Sequence, residues 1–169
     1  MTSKPTHIQR GLYFEEFEIG AAYVHRPGRT VNEADNTFFS TMTMNTQGLH
    51  LDAAWSEAQP NGQRVVNSMF TLSTMVGSSV TQLTLDTIFA NLGFTNVKFL
   101  FPLFHGDTIY SETSVLSKRL SKTHEGKGII SLLHSASNQN EIVVATAERS
   151  VMVWCEEAHK RNGIASNGL

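Results

Sequence analysis

Val66-Asn-Ser-Met-Phe-Thr-Leu-Ser-Thr-Met-Val-Gly-Ser-Ser-Val-Thr-Gln-Leu83 is the stretch on which the fold turns. No charged residue occurs between Arg64 and Asp86, an interval long enough to cross a bilayer. Nearly half of it is polar, however: Asn67, Ser68, Thr71, Ser73, Thr74, Ser78, Ser79, Thr81, Gln82 and Thr84. A lipid-exposed span is therefore not expected. Met69, Leu72, Met75, Val76, Val80 and Leu83 recur at three- and four-residue steps, the period of a helix. The pattern predicts one long helix over 66–83. At about 1.5 Å per residue it runs ~25–30 Å through the middle of a water-soluble domain.

Everything downstream of this helix reads as strand, over 95–101, 107–119, 127–138 and 141–154. The last is dense in Val, Ile and Thr. His105-Gly106-Asp107 and Asn138-Gln-Asn140 have the composition of turns. Upstream, 21–31 reads as a strand broken at Pro27-Gly28. A helix follows to about Met42, with Thr30 or Asn32 as its cap and Glu33 and Asp35 in its first turn. Residues 43–49 are turn-like, and a short helix near 51–58 stops at Pro60-Asn-Gly62. Four adjacent strands favour an antiparallel meander, and one amphipathic helix can cover a single face of it. The order predicts an α+β, hot-dog fold: an antiparallel sheet wrapped around one long central helix.

At 169 residues, the chain has the length of one domain. Its expected bounds are 12–155, with 1–11 and 156–169 as flexible termini. The 40% hydrophobic content excludes a disordered or collagen-like chain. Thirteen Lys+Arg against 15 Asp+Glu leave a net charge of −2, which argues against a nucleic-acid partner. The single cysteine, Cys155, cannot form an intramolecular disulfide and fits a reducing compartment. Residues 1–10 contain no apolar run of the kind a signal peptide needs, so a cytoplasmic location is expected.

Chemistry concentrates in two places. Asn45-Thr-Gln-Gly-Leu-His50 puts an amide five residues before a histidine in a turn between helices. Histidine titrates near neutrality and can move a proton in either direction. A structural histidine or helix cap is the competing explanation for His50. The second place is Arg64-Val-Val-Asn-Ser-Met-Phe70, which opens the long helix. Free backbone N–H groups there can hold a polarised carbonyl oxygen, with Asn67, Ser68 and Met69 in position to serve it. A simple helix cap at Asn67 or Ser68 is the competing explanation, and the two roles are compatible. His25, His105 and His134 show no metal-ligand spacing, and no phosphate-loop, dinucleotide or nucleophile-elbow motif occurs. Lys118, Arg119 and Lys122 have the look of a solvated sheet edge.

These segments resemble the MaoC-like dehydratases, which include the (R)-specific enoyl-CoA hydratases. That family carries Asp-x-Asn-Pro-x-His where this chain has Asn45-Thr-Gln-Gly48-Leu-His50. Its Phe-x-x-Pro-x-x-x-Gly-Asp-Thr is matched by Phe99-Leu-Phe-Pro102-Leu-Phe-His-Gly106-Asp107-Thr108. Phe14-Glu-Glu-Phe17-Glu-Ile-Gly20 and Val66-Asn-Ser-Met-Phe70 are also similar to it, so the likeness spans roughly 12–154. The nearest look is to the mesaconyl-CoA hydratase, or β-methylmalyl-CoA dehydratase, branch.

The resemblance implies reversible hydration of a short branched or dicarboxylic enoyl-CoA, with no cofactor beyond the substrate's own CoA, no metal, and a homodimer or higher homo-oligomer. It makes His50 the general acid/base, Asn45 the residue that positions water, and Asn67, Ser68 and Met69 the substrate-binding residues. The chain departs from the pattern in two places: Asn45 stands where the family has Asp, and Gly48 where it has Pro. An amide cannot accept water's proton. Either His50 then does all the proton work, or the site binds thioesters without turning them over, as an acyl-CoA-binding or assembly subunit. A thioesterase is the third choice, because it too would want a carboxylate. An anionic acyl group would favour Asn over Asp here, since a carboxylate would repel it.

Overall fold

In the computed structural model, the described residues are 7–162. Strand β1 (Ala22–Thr30) leads into helix α1 (Glu33–Met42), short helices α2 (Gly48–Leu51) and α3 (Ala53–Glu57), then α4 (Ser68–Gly77) and α5 (Val80–Leu83). Strands β2 (Ile88–Phe99), β3 (Thr108–Leu120), β4 (Lys127–Ser137) and β5 (Val143–Trp154) follow, and α6 (Glu156–Arg161) ends the fold. All five strands form one antiparallel sheet in the order β1-β3-β4-β5-β2, and α4 packs on β3, β4 and β5. The α+β class and the helix-on-sheet layering are those the element order predicts.

Local chemistry accounts for the boundaries. Asn32 is the cap of α1: its side chain accepts from the Asp35 amide at 2.9 Å, and the Asp35 carboxylate accepts from the Asn32 amide at 3.0 Å. Gly106, at φ 95°, makes the turn into β3, and Asp107 accepts from the Phe104 amide at 2.8 Å. In the β4–β5 hairpin the Asn138 side chain accepts from the amides of Asn140 and Ile142, at 3.0 and 3.1 Å.

Four expectations need correction. The single helix over 66–83 is two helices, because the Ser78 and Ser79 hydroxyls donate back to the Met75 and Val76 carbonyls and break the run after Gly77. The strand expected at 95–101 begins at Ile88. Three register shifts along it, at Phe89, at Leu92 and between Thr95 and Lys98, leave residues without a partner on β5 and break the strict alternation that marks a strand in the sequence. It pairs with β5 rather than β3, so only β3-β4-β5 form a meander. The short helix near 51–58 is two helices that start earlier, so His50 lies inside α2 rather than in a turn. The tail from 156 is not loose throughout. Residues 156–161 form α6, anchored by buried Ala158 and His159, whose Nδ1 lies 3.1 Å from the Tyr13 hydroxyl. At the other end Gly11 is buried and bonded to Leu85, while 1–6 and 163–169 lie outside the described residues.

The core has two apolar clusters. One joins α4, through Leu72 and Met75, to Val31, Ile109, Ala136 and Val144. The other gathers Phe17, Leu83, Val115, Ile130, Leu132, Val151 and Val153. Buried His25, Thr113, His134 and Arg149 form a polar row of their own, outside both clusters. The Thr113 hydroxyl lies 2.8 Å from both His25 Nε2 and His134 Nδ1, and Arg149 Nε donates to Asn91 at 3.0 Å.

Candidate active site

His50 comes to its place because three segments are laced together. Val65 bridges to Phe104, its amide donates to Leu49 at 3.0 Å, and the Val66 amide donates to Leu103 at 2.8 Å. The chain entering α4 is thus pinned between α2 and the loop before β3. His50, only 9% exposed, has Nδ1 2.8 Å from the Val65 carbonyl oxygen. A carbonyl can only accept, so Nδ1 carries the hydrogen. The neutral ring then holds its basic lone pair on Nε2, the nitrogen left for proton transfer.

The opening of α4 is the second half of the site. Asn67, 2% exposed, caps the helix by accepting from the Met69 amide at 3.0 Å. The Thr71 amide closes the first turn onto the Asn67 carbonyl at 3.2 Å. The Ser68 and Phe70 amides donate to nothing among the described residues. They are the two free donors of the helix start, which carries positive dipole charge. Beside them lies a groove of about 190 Å³ lined by Ser68, Thr71, Phe99, Phe101, Pro102 and Val144, among others. Val65 lines it too, which joins the groove to the carbonyl that orients His50.

Five residues stand out in the sequence, and the structure gives them different positions. His50 is bonded to Val65, Ser68 lines the same groove as Val65, and Asn67 is buried as the cap. Met69 is set apart: its amide is committed to Asn67 and the residue is 51% exposed. Asn45 is half-buried at the end of α1, with its own amide bonded to Ser40 at 2.8 Å. Its Oδ1 accepts from the Gln47 amide at 3.1 Å, which leaves Nδ2 as its outward group. No hydrogen bond joins Asn45 to His50.

Sequence reasoning passes over Asn36 and Ser40, and it reads His105 only as a turn residue without metal-ligand spacing. Asn36 and Ser40 are fully buried, one turn apart on α1. Ser40 accepts from Asn67 Nδ2 at 3.2 Å. Asn36 bonds to His50, Val65, Asn67 and His105. Two small polar residues at helical spacing are a faint signal, and nothing local says that they face inward. Burial, helped by the Arg64 cation and opposed by Glu33, holds His105 below its ordinary pKa. Arg64 and Glu33 pair with each other. Among the described residues, no group of three or more His, Cys, Asp or Glu gathers as a metal site, and no helix is long and apolar enough to cross a membrane.

Comparison with known proteins adds an independent view. Residues 15–138 match the MaoC like domain. The chain is 28% identical over 144 residues to a β-methylmalyl-CoA dehydratase of Chloroflexus aurantiacus, covering 85% of this chain and 40% of the relative. It is 24% identical over 143 residues to a mesaconyl-CoA hydratase of Cereibacter sphaeroides, covering 85% and 41%. The chain thus spans about two fifths of the length of these relatives. Among solved structures, a monoamine oxidase regulatory protein from Archaeoglobus superposes with a TM-score of 0.77 at 28% identity, covering 86% of this chain and 96% of that one. A Mycobacterium tuberculosis protein with a double hotdog fold gives 0.77 at 22% identity, covering 86% and 45%.

Proposed function

The chain belongs to the MaoC-like dehydratase family, and from that premise we propose that it is a hydro-lyase for enoyl-CoA thioesters, with a short branched or dicarboxylic acyl group of the mesaconyl kind. One observation carries the reading. His50 is held as the Nδ1–H tautomer with Nε2 basic, beside a helix start that has two uncommitted amides and an apolar groove. The names of the two curated relatives support the acyl class.

In the hydration direction, Nε2 of His50 takes a proton from water as the water oxygen bonds to the β-carbon. The carbon–carbon π pair moves toward the thioester, and the carbonyl oxygen becomes an enolate held by the Ser68 and Phe70 amides. The enolate then collapses and takes a proton at the α-carbon from the same Nε2. Water's two hydrogens end on the α-carbon and the new hydroxyl, and His50 is restored. Asn45 donates from Nδ2 to the water oxygen and positions it. Dehydration is the reverse.

The active form in this reading is a cytoplasmic homodimer. Edge strand β2 carries exposed Phe89, Leu92, Phe94, Val97 and Phe99, an apolar strip that a second copy would cover. Leu92→Lys with Val97→Lys should shift the chain toward monomer in sedimentation, and an unchanged mass would remove this part of the proposal.

One observation favours a second reading, an acyl-CoA-binding subunit without turnover: the Asn45 position offers no base, and its Oδ1 is already engaged. The decisive test follows enoyl-thioester absorbance with mesaconyl-CoA and crotonyl-CoA, with His50→Ala as control. Loss of absorbance that falls by ~10²–10⁴-fold in the variant supports the hydro-lyase. Tight binding without loss supports the binding subunit. Release of free thiol would instead show a thioesterase.

A further inference from the structure

We infer that Asn36 is the positioning residue that joins His50 to the opening of α4, and that His105 is the latch that releases it on protonation. The inference rests on the hydro-lyase reading for its effect on rate, but its geometry stands on contacts within the chain.

The orientation of the Asn36 amide is fixed by groups that have only one role. The Asn67 backbone N–H can only donate, and it meets Asn36 Oδ1 at 2.8 Å. The His50 and Val65 carbonyls can only accept, and they meet Nδ2 at 3.3 and 3.2 Å. Nδ2 is a donor only, so its third neighbour, His105 Nε2 at 3.0 Å, presents its lone pair, and three acceptors share the two amide hydrogens. The Val65 carbonyl also receives the His50 Nδ1 hydrogen. One side chain with no exposed surface thus sets the carbonyl that orients the base and the residue that caps the oxyanion donors.

Protonating His105 turns its Nε2 into a donor aimed at a donor. Turning the Asn36 amide over would give His105 an oxygen, but it would then set Nδ2 against the Asn67 N–H. Neither arrangement keeps the network whole. The charged groups around His105 are Arg64 and Glu33, paired with each other, and Asp107 on its own turn, whose carboxylate accepts from Phe104 and Gln139. His50 is reached through Asn36.

The experiment follows the Asn67 backbone amide and the His105 ring by NMR in the full chain from about pH 8 to pH 5, alongside kcat on crotonyl-CoA. In the native chain the Asn67 resonance should move with the His105 midpoint, and His105→Gln should abolish that movement. His105→Gln should also make the acid limb of kcat shallower. Asn36→Asp keeps the oxygen for Asn67 and loses the amide hydrogens, so kcat should fall by ~10–100-fold while KM stays within ~threefold. An Asn67 resonance indifferent to His105, or the same acid limb in His105→Gln, overturns the inference. If the native chain turns over no enoyl thioester, the hydro-lyase reading fails, and the resonance arm alone decides this one.

Discussion

His50 shows what a single hydrogen bond does to a side chain with two chemically distinct nitrogens. The Val65 carbonyl holds the hydrogen on Nδ1, so the ring's lone pair lies on Nε2 without any charged partner. Asn45 makes the complementary point. A carboxylate there would be a second base, and it would also repel an anionic acyl group. Asn45→Asp should therefore slow turnover of a dicarboxylic enoyl-CoA relative to crotonyl-CoA, as the ratio of kcat/KM for the two will show. Equal or better turnover of both would remove the charge argument. His50 is legible as a candidate from its spacing to Asn45, although its place inside α2 is not. The roles of Asn36 and His105 are not legible, because both act through partners 14 to 69 residues away in the chain.

Among the elements, α4 carries most of the candidate site, and its two ends are built differently. At the N-terminus the Asn67 side chain takes the Met69 amide and leaves Ser68 and Phe70 free, so the cap selects which donors stay uncommitted. At the C-terminus Gly77 is exposed, has no heavy atom within 4 Å of where a Cβ would sit, and is not at positive φ. Gly77→Ala should stabilise the protein by about 0.5 kcal/mol, through the lost freedom of the unfolded chain, with no change in kcat. Denaturant titration at matched m-value checks the sign. The apolar period of 66–83 announces this element. Its break is not announced, because Ser78 and Ser79 are tolerable inside a helix until their hydroxyls turn back onto the carbonyls behind them.

Across the molecule, the polar row through the core makes stability sensitive to acid. Burial, then the charges of Arg149 and His25, push His134 from its ordinary 6.5 down to about 3. In the unfolded chain the ring binds a proton near pH 6.5, and in the folded chain it resists until about pH 3. The contribution is therefore fully present above pH 6.5 and is lost as pH falls from there toward 3. At 1.36 kcal/mol per unit it is worth roughly 5 kcal/mol over that window. Unfolding free energies at neutral and acid pH should differ less in His134→Gln than in the native chain, and an equal difference would show that His134 is not the group responsible.

The sequence by itself determined the order of β1, the helical middle and the later strands, though not every break between elements, for a reason that is local: helical period, Asx caps, glycine turns and β-branched runs act over a few residues. It also marked His50, Asn67 and Ser68, because their signals lie in short spacings. Only the tertiary structure decided that β2 crosses to the far edge beside β5, that α6 docks where a loose tail was expected, and that Asn36 binds His50, Val65, Asn67 and His105 at once. Each of these depends on pairing between segments distant in the chain. Such pairing is settled by which buried donors and acceptors satisfy one another, and no window of sequence contains both partners.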